Sequence, residues 1–94
     1  MNFKFKEQRN LAVFTTKQVL EGQPILFVYH NLDGYWQFHS SREPHSDDAK
    51  IISLEEAVKL DGSLNELSQL KAGCCAWRSS ILNEWETGKD EEQN

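Results

Sequence analysis

Ninety-four residues are enough for one domain with a modest core, and 38% apolar with 27% charged residues is the composition of a globular chain that needs no disulfide or metal to fold. The net charge of −5 is lopsided: residues 1–46 carry five Lys/Arg against four Asp/Glu, residues 47–94 five against eleven. That balance argues against a nucleic-acid binder, which needs a basic face to neutralise phosphate, and no apolar run reaches the length of a membrane span.

The first residues, Met1-Asn2-Phe3-Lys4-Phe5-Lys6, lack an apolar signal core, so no secretion signal is read. Residues 3–6 alternate with period two and form either a short edge strand or an ordered start. Residues 11–16, β-branched and free of breakers, predict a strand. Thr15-Thr16-Lys17-Gln18 fits a helix cap with a Gln three residues on, which predicts a short helix over 16–21 stopped by Gly22 and Pro24.

A hairpin follows. Residues 25–30 and 35–39 flank Asn31-Leu32-Asp33-Gly34, and Asp-Gly between strand-like runs is a strong turn signal. A two-residue loop sets Tyr29 opposite Phe38, and a four-residue loop sets it opposite Trp36. Both registers place Ile25, Phe27, Tyr29, Trp36 and Phe38 on one face and Leu26, Val28, His30, Tyr35, Gln37 and His39 on the other. The second set is mixed, as a half-covered or solvent-facing surface would be.

Residues 40–50 are polar, aperiodic and broken by Pro44, which predicts a surface loop. Ile51-Ile52 is a very short strand or the lead-in to a helix. Ser53-Leu54-Glu55-Glu56 is a capping box that opens a helix ending at Asp61-Gly62. Ser63-Leu64-Asn65-Glu66 opens a second, with Leu64, Leu67 and Leu70 on one side and Gly73 beyond its end. The acidic first turns make this helix pair a poor DNA reader. Residues 74–79 alternate as a strand, Cys75 and Trp77 one way, Cys74, Ala76 and Arg78 the other. Residues 80–86 suggest a helical turn or two ending at Gly88, and 89–94 an acidic, disordered tail, leaving 1–88 as a single domain.

No phosphate loop, nucleophile elbow or metal-ligand spacing is present, so no catalytic residue and no cofactor is assigned. Adjacent cysteines rarely bridge because the small ring strains the backbone, so Cys74 and Cys75 read as thiols in a reducing cytoplasm. A reactive thiolate would need a cationic neighbour, and Arg78 is the near one in sequence. Two further constellations stand out. His30 and His39, on one hairpin face, could join His45, Asp47 and Asp48 in an oxygen–nitrogen metal site; one register puts the first two about 7–8 Å apart. Tyr35, Gln37, His39 and Arg42, continued by Asp47 and Asp48, form a polar-aromatic surface of the kind that protein interfaces favour.

In order along the chain, Asp33-Gly34-Tyr35-Trp36-Gln37-Phe38, Ser53-Leu54, Asp61-Gly62-Ser63-Leu64, Leu70, Gly73, Ala76-Trp77-Arg78 and Trp85 resemble a family of small uncharacterised bacterial proteins, a domain of unknown function. The Gly-x-Trp-x-Phe part is also distantly similar to the Gly-Trp-x-Phe hairpin of immunity-type proteins of bacterial toxin systems, although the acidic Asp-Ser expected before Gly-Trp there is missing. Neither resemblance implies catalytic residues.

The expectation is an α+β fold: an antiparallel sheet of about four strands round the 25–39 hairpin, with short helices over 54–60 and 64–71 on one face. Its core is Val13, Ile25, Phe27, Tyr29, Trp36, Phe38, Leu54, Val58, Leu64, Leu67, Leu70 and Trp77. The functional expectation is a non-enzymatic cytoplasmic module that binds a protein, with a basic partner among the candidates, and no nucleic acid and no membrane. The alternatives are the histidine metal site, as a metal-binding protein or small enzyme, and a homo-oligomer paired through an edge at 3–6 or 11–16, leaving monomer and homodimer both open.

Overall fold

A computed structural model describes residues 2–90. Six strands make one sheet: β1 (Ala12–Thr16), β2 (Phe27–His30), β3 (Trp36–His39), β4 (Ala49–Ser53), β5 (Cys74–Trp77) and β6 (Glu86–Lys89). Their order in space is β4-β1-β3-β2-β5-β6. Every neighbouring pair is antiparallel except β1 and β3, which run parallel. The helices are α1 (Lys17–Leu20), α2 (Leu54–Leu60) and 3-10 turns over Ser46–Asp48 and Gly62–Leu67. The class is α+β as expected, but the sheet is larger and mixed. It is larger because β4 lengthens to five residues and β6 replaces the helix expected near 80–86. It is mixed because β1 passes over β2 and joins β3.

The hairpin corrects both even registers. Its pairs are Phe27↔His39, Val28↔Phe38, Tyr29↔Gln37 and His30↔Trp36. The turn closes with Asn31 N–H donating to Tyr35 O (2.8 Å) and Gly34 N–H donating to Asn31 O (2.9 Å), and Gly34 lies at φ +94°. This is a three-residue loop with a left-handed glycine, a bulge that inserts an odd residue. The shift of one exchanges faces along the second strand. Val28 and His30 therefore join Trp36 and Phe38 on the inner face, while Phe27 and Tyr29 join Tyr35, Gln37 and His39 on the outer one.

The core lies on the inner face. Val13, Val28, Trp36, Phe38 and Ala76 of the sheet are covered by Val19 of α1, by Leu54, Ala57 and Val58 of α2, and by Leu64 and Leu67. Residues 3–6 form no strand; Phe5 is buried instead, its ring edge-on to Trp36 at 5.2 Å. His30 stacks on the other side of the indole at 3.9 Å, and Trp36 Nε1–H donates to Glu7 Oε2 at 2.9 Å. Of the expected core, Phe27, Tyr29 and Trp77 are only half-buried on the outer face, and Leu70 is a partly buried flank.

Local signals fared unevenly. The α2 capping box is complete: Ser53 Oγ accepts from Glu56 N–H and Glu56 Oε1 accepts from Ser53 N–H. The α1 cap is not made, because the Thr15 hydroxyl donates to Phe38 O across the sheet (2.8 Å) and Gln18 reaches Asp48. Asp61, not Ser63, caps the turn after α2 by accepting from Ser63 N–H (2.9 Å), and the geometry there is 3-10. Lys89 pairs with Cys74 and Asp90 N–H donates to Gly73 O (2.8 Å), so the expected tail begins inside the sheet; its residues 91–94 lie outside the described ones.

Candidate functional site

All helices that cover the core pack on one side, so the other face of the sheet is open. Across its middle runs the row Ile51, Phe14, Gln37, Tyr29, Cys75 and Gly88, one residue from each strand in space order. Beside it lie Tyr35, Phe27 and Trp77. Tyr35 is 47% exposed with its ring 5.8 Å from Phe14, and Ile51 is 67% exposed. The alternation of strands puts these aromatics outside; the bulge at Gly34 selects which ones.

Residues 40–45 fold back over the lower half of this face. Tyr29 Oη donates to Arg42 O (3.4 Å), and the Arg42 guanidinium lies 5.2 Å over the Phe27 ring. Two shallow concavities result, of about 610 and 650 Å³, which share Tyr29, Arg42 and Asp90 as walls. The first is floored by Gln37 and His39, the second by Cys75 and flanked by Phe27 and Trp77.

A polar chain crosses the first floor. Gln37 Nε2–H donates to Asn31 Oδ1 (3.2 Å), which leaves the Gln37 oxygen to accept from His39 Nε2–H (2.9 Å). His39 is 4% exposed and its Nδ1 has no hydrogen-bond partner. Burial of the ring holds its pKa down to about 4, so His39 is neutral near pH 7.

The surface expected from the sequence is therefore brought together in part. Tyr35, Gln37, His39 and Arg42 share the open face. Asp47 and Asp48 do not join them: they sit in the 3-10 turn Ser46–Asp48, where Asp48 Oδ2 accepts from Gln18 (2.8 Å) beside α1. The histidine metal site is not assembled. His30 is on the inner face with Nδ1 2.7 Å from Leu70 O, His39 is on the outer face, and His45 is exposed beside Asp47. The odd loop puts the first two on opposite sides of the sheet. No group of three metal-ligating side chains occurs among the described residues.

The cysteines are unpaired and point to opposite faces of β5. Burial, then the Asp90 carboxylate, raise the Cys75 pKa, the reverse of what a nucleophilic thiolate requires. Arg78 serves the fold instead. It donates to Ile25 O and Ser63 Oγ, pairs with Asp61 and stacks 4.0 Å over Trp85.

Sequence reasoning missed the outward aromatics Phe14, Phe27, Tyr29 and Trp77. For Phe27 and Tyr29 the signal was the Gly at the end of a four-residue turn, which fits a three-residue loop as well as the even ones. No protein-family model matches the chain, and neither the curated proteins nor the solved structures contain a match. Among the described residues no helix is long and apolar enough to cross a membrane.

Proposed function

We propose that the chain is a small non-enzymatic module that binds a protein partner with the open face of its sheet. One observation carries this reading. Five aromatic side chains, Phe14, Phe27, Tyr29, Tyr35 and Trp77, lie half-buried or exposed on a face that no helix covers, while the opposite face buries its apolar residues under every helix. Aromatic residues and Arg are the types that dominate the energetic centres of protein interfaces. Arg42, Gln37 and Asn31 supply the polar groups that fix orientation. The net charge of −5 favours a basic partner. Two unbridged cysteines on opposite faces of one strand suit a reducing cytoplasm.

The test is capture from a lysate of the source organism by wild type and by a folded Phe14→Lys/Tyr35→Lys double variant. A protein held by wild type and lost by the variant supports the reading. Equal capture by both, or none by either, sinks it.

Self-association is a second reading, favoured by the exposed Ile51 on the free edge strand β4. The edges expected at 3–6 and 11–16 are unsuited, since the former is not a strand and β1 is interior. Sedimentation velocity across a wide concentration range decides: a constant monomer mass removes this reading.

A further inference from the structure

The concavity between Phe27 and Trp77 is a site for an arginine side chain of the partner, we infer, and Arg42 is the chain's own occupant of part of it. This deepens the module reading and rests on it.

The walls are made by the sheet. Phe27 and Trp77 are directly opposed across β2 and β5, and Tyr29 stands two residues further along β2 on the same face. Trp77 does not close over Phe27. Its six-membered ring lies toward β6, where Gly88 has no side chain; a Cβ built there would stand 3.1 Å from Trp77 Cη2 and 3.3 Å from Cζ3. A glycine in an edge strand thus lets the indole lie outward and leaves a gap of about 650 Å³ floored by Cys75.

The chemistry of the gap points to a planar cation. Arg42 already places a guanidinium over the Phe27 face at 5.2 Å, a cation–π contact. Its carbonyl accepts a hydrogen bond from Tyr29 Oη, whereas its side chain is held by the contact with the Phe27 ring alone among the described residues, so the guanidinium can swing away. The rim carries the carboxylates of Glu43 and Asp90, while Lys89, paired with Cys74, directs its side chain to the other face of the sheet. With Arg42 withdrawn, an incoming guanidinium takes over its positive charge beside the Glu43 and Asp90 carboxylates while stacking on aromatic faces. A guanidinium fits better than an ammonium because it is planar, weakly hydrated and pairs with a carboxylate by two parallel bonds.

The experiment is an NMR titration of the full chain with capped Gly-Arg-Gly, Gly-Lys-Gly and Gly-Gln-Gly, read at the indole N–H of Trp77. The arginine peptide is expected to shift that signal saturably, the others less. Arg42→Ala removes the internal competitor and should tighten the arginine peptide about two- to fivefold, the worth of one exposed cation–π contact. Glu43→Gln should weaken it. Equal shifts with all three peptides, no shift at Trp77, or an Arg42→Ala variant that binds no tighter would each overturn the inference. These outcomes are independent of partner capture: a module that holds its partner elsewhere on the open face would still show capture lost in Phe14→Lys/Tyr35→Lys while the peptide fails to bind.

Discussion

Replacing Arg78 should unfold this domain more readily than replacing any surface charge. Its side chain is almost wholly enclosed. The guanidinium donates from Nε and Nη2 to Ile25 O at 3.2 and 2.9 Å and from Nη1 to Ser63 Oγ at 3.0 Å, pairs with the mostly buried Asp61 carboxylate, and lies 4.0 Å over the Trp85 ring. It therefore ties the start of β2, the turn after α2 and the segment leading to β6. Truncation to Ala leaves a carbonyl and a carboxylate without their donor in a low-dielectric pocket, which costs about 3–5 kcal/mol when a buried pair is broken on one side. Against a total stability of about 5–15 kcal/mol, that is a large fraction. Equilibrium urea unfolding, with a slope of about 1–3 kcal/mol per molar, should show the midpoint falling by roughly 2 M. Arg78→Lys keeps the charge but loses the planar fork and the stack, and should recover only part of the loss. Arg78→Met/Asp61→Asn should be less damaging than the sum of its single changes, since the two groups are coupled. A loss below about 1 kcal/mol for Arg78→Ala, or wild-type stability for Arg78→Lys, would refute the assignment of Arg78 as the clamp.

Three further outcomes follow from the geometry. Burial depresses the folded pKa of His39 to about 4 from the ordinary 6.5, so the unfolded chain binds its proton more readily; stability is complete above about pH 6.5 and declines as pH falls toward 4, by roughly 3 kcal/mol. His39→Gln should flatten that part of the pH–stability curve, and a His39 ring resonance titrating near pH 6.5 would contradict the burial argument. Gly34→Ala forces a Cβ into φ +94° and should cost about 1–2 kcal/mol in thermal unfolding, whereas Gly34→Asn should cost less. Gly88→Ala should displace the Trp77 indole, seen as a shift of its N–H resonance and a loss of about 1 kcal/mol in stability, with Trp36 unmoved because it lies on the other face.

The parts of the fold legible in the sequence are those set by local chemistry. The capping box at Ser53 and Glu56, the strand content of residues 12–16 and 74–77, and the burial of Val13, Trp36, Phe38, Leu54, Val58, Leu64 and Leu67 follow from hydrogen-bonding side chains and apolar periodicity. What failed depended on a single residue or on distant partners. The hairpin was visible, but its parity turned on whether Gly34 ended an even loop or formed a bulge, and that one step reassigned Phe27, Tyr29 and His30. The metal constellation went with it. The pairing of β1 with β3 joins residues distant in sequence, and that of β6 with β5 spans the irregular segment 78–85; neither carries a local signature. The open face was partly legible, because Tyr35, Gln37, His39 and Arg42 were grouped correctly, and incomplete, because the aromatic half was read as core.

The sheet order also bears on how the domain comes into being. β1 is the first strand synthesised, yet both of its neighbours, β3 and β4, are made later, the second of them only after the loop over 40–48. As the chain leaves the ribosome, residues 12–16 must therefore wait unpaired while the β2–β3 hairpin forms by itself. Docking β1 against β3 and closing it with β4 fixes contacts of high sequence separation, the slow kind. β6, joined only to β5 at the rim, is added last and should exchange its amide hydrogens first. The open face is thus completed from its centre outward, and Trp77 reaches its place over Gly88 only once β6 has been made.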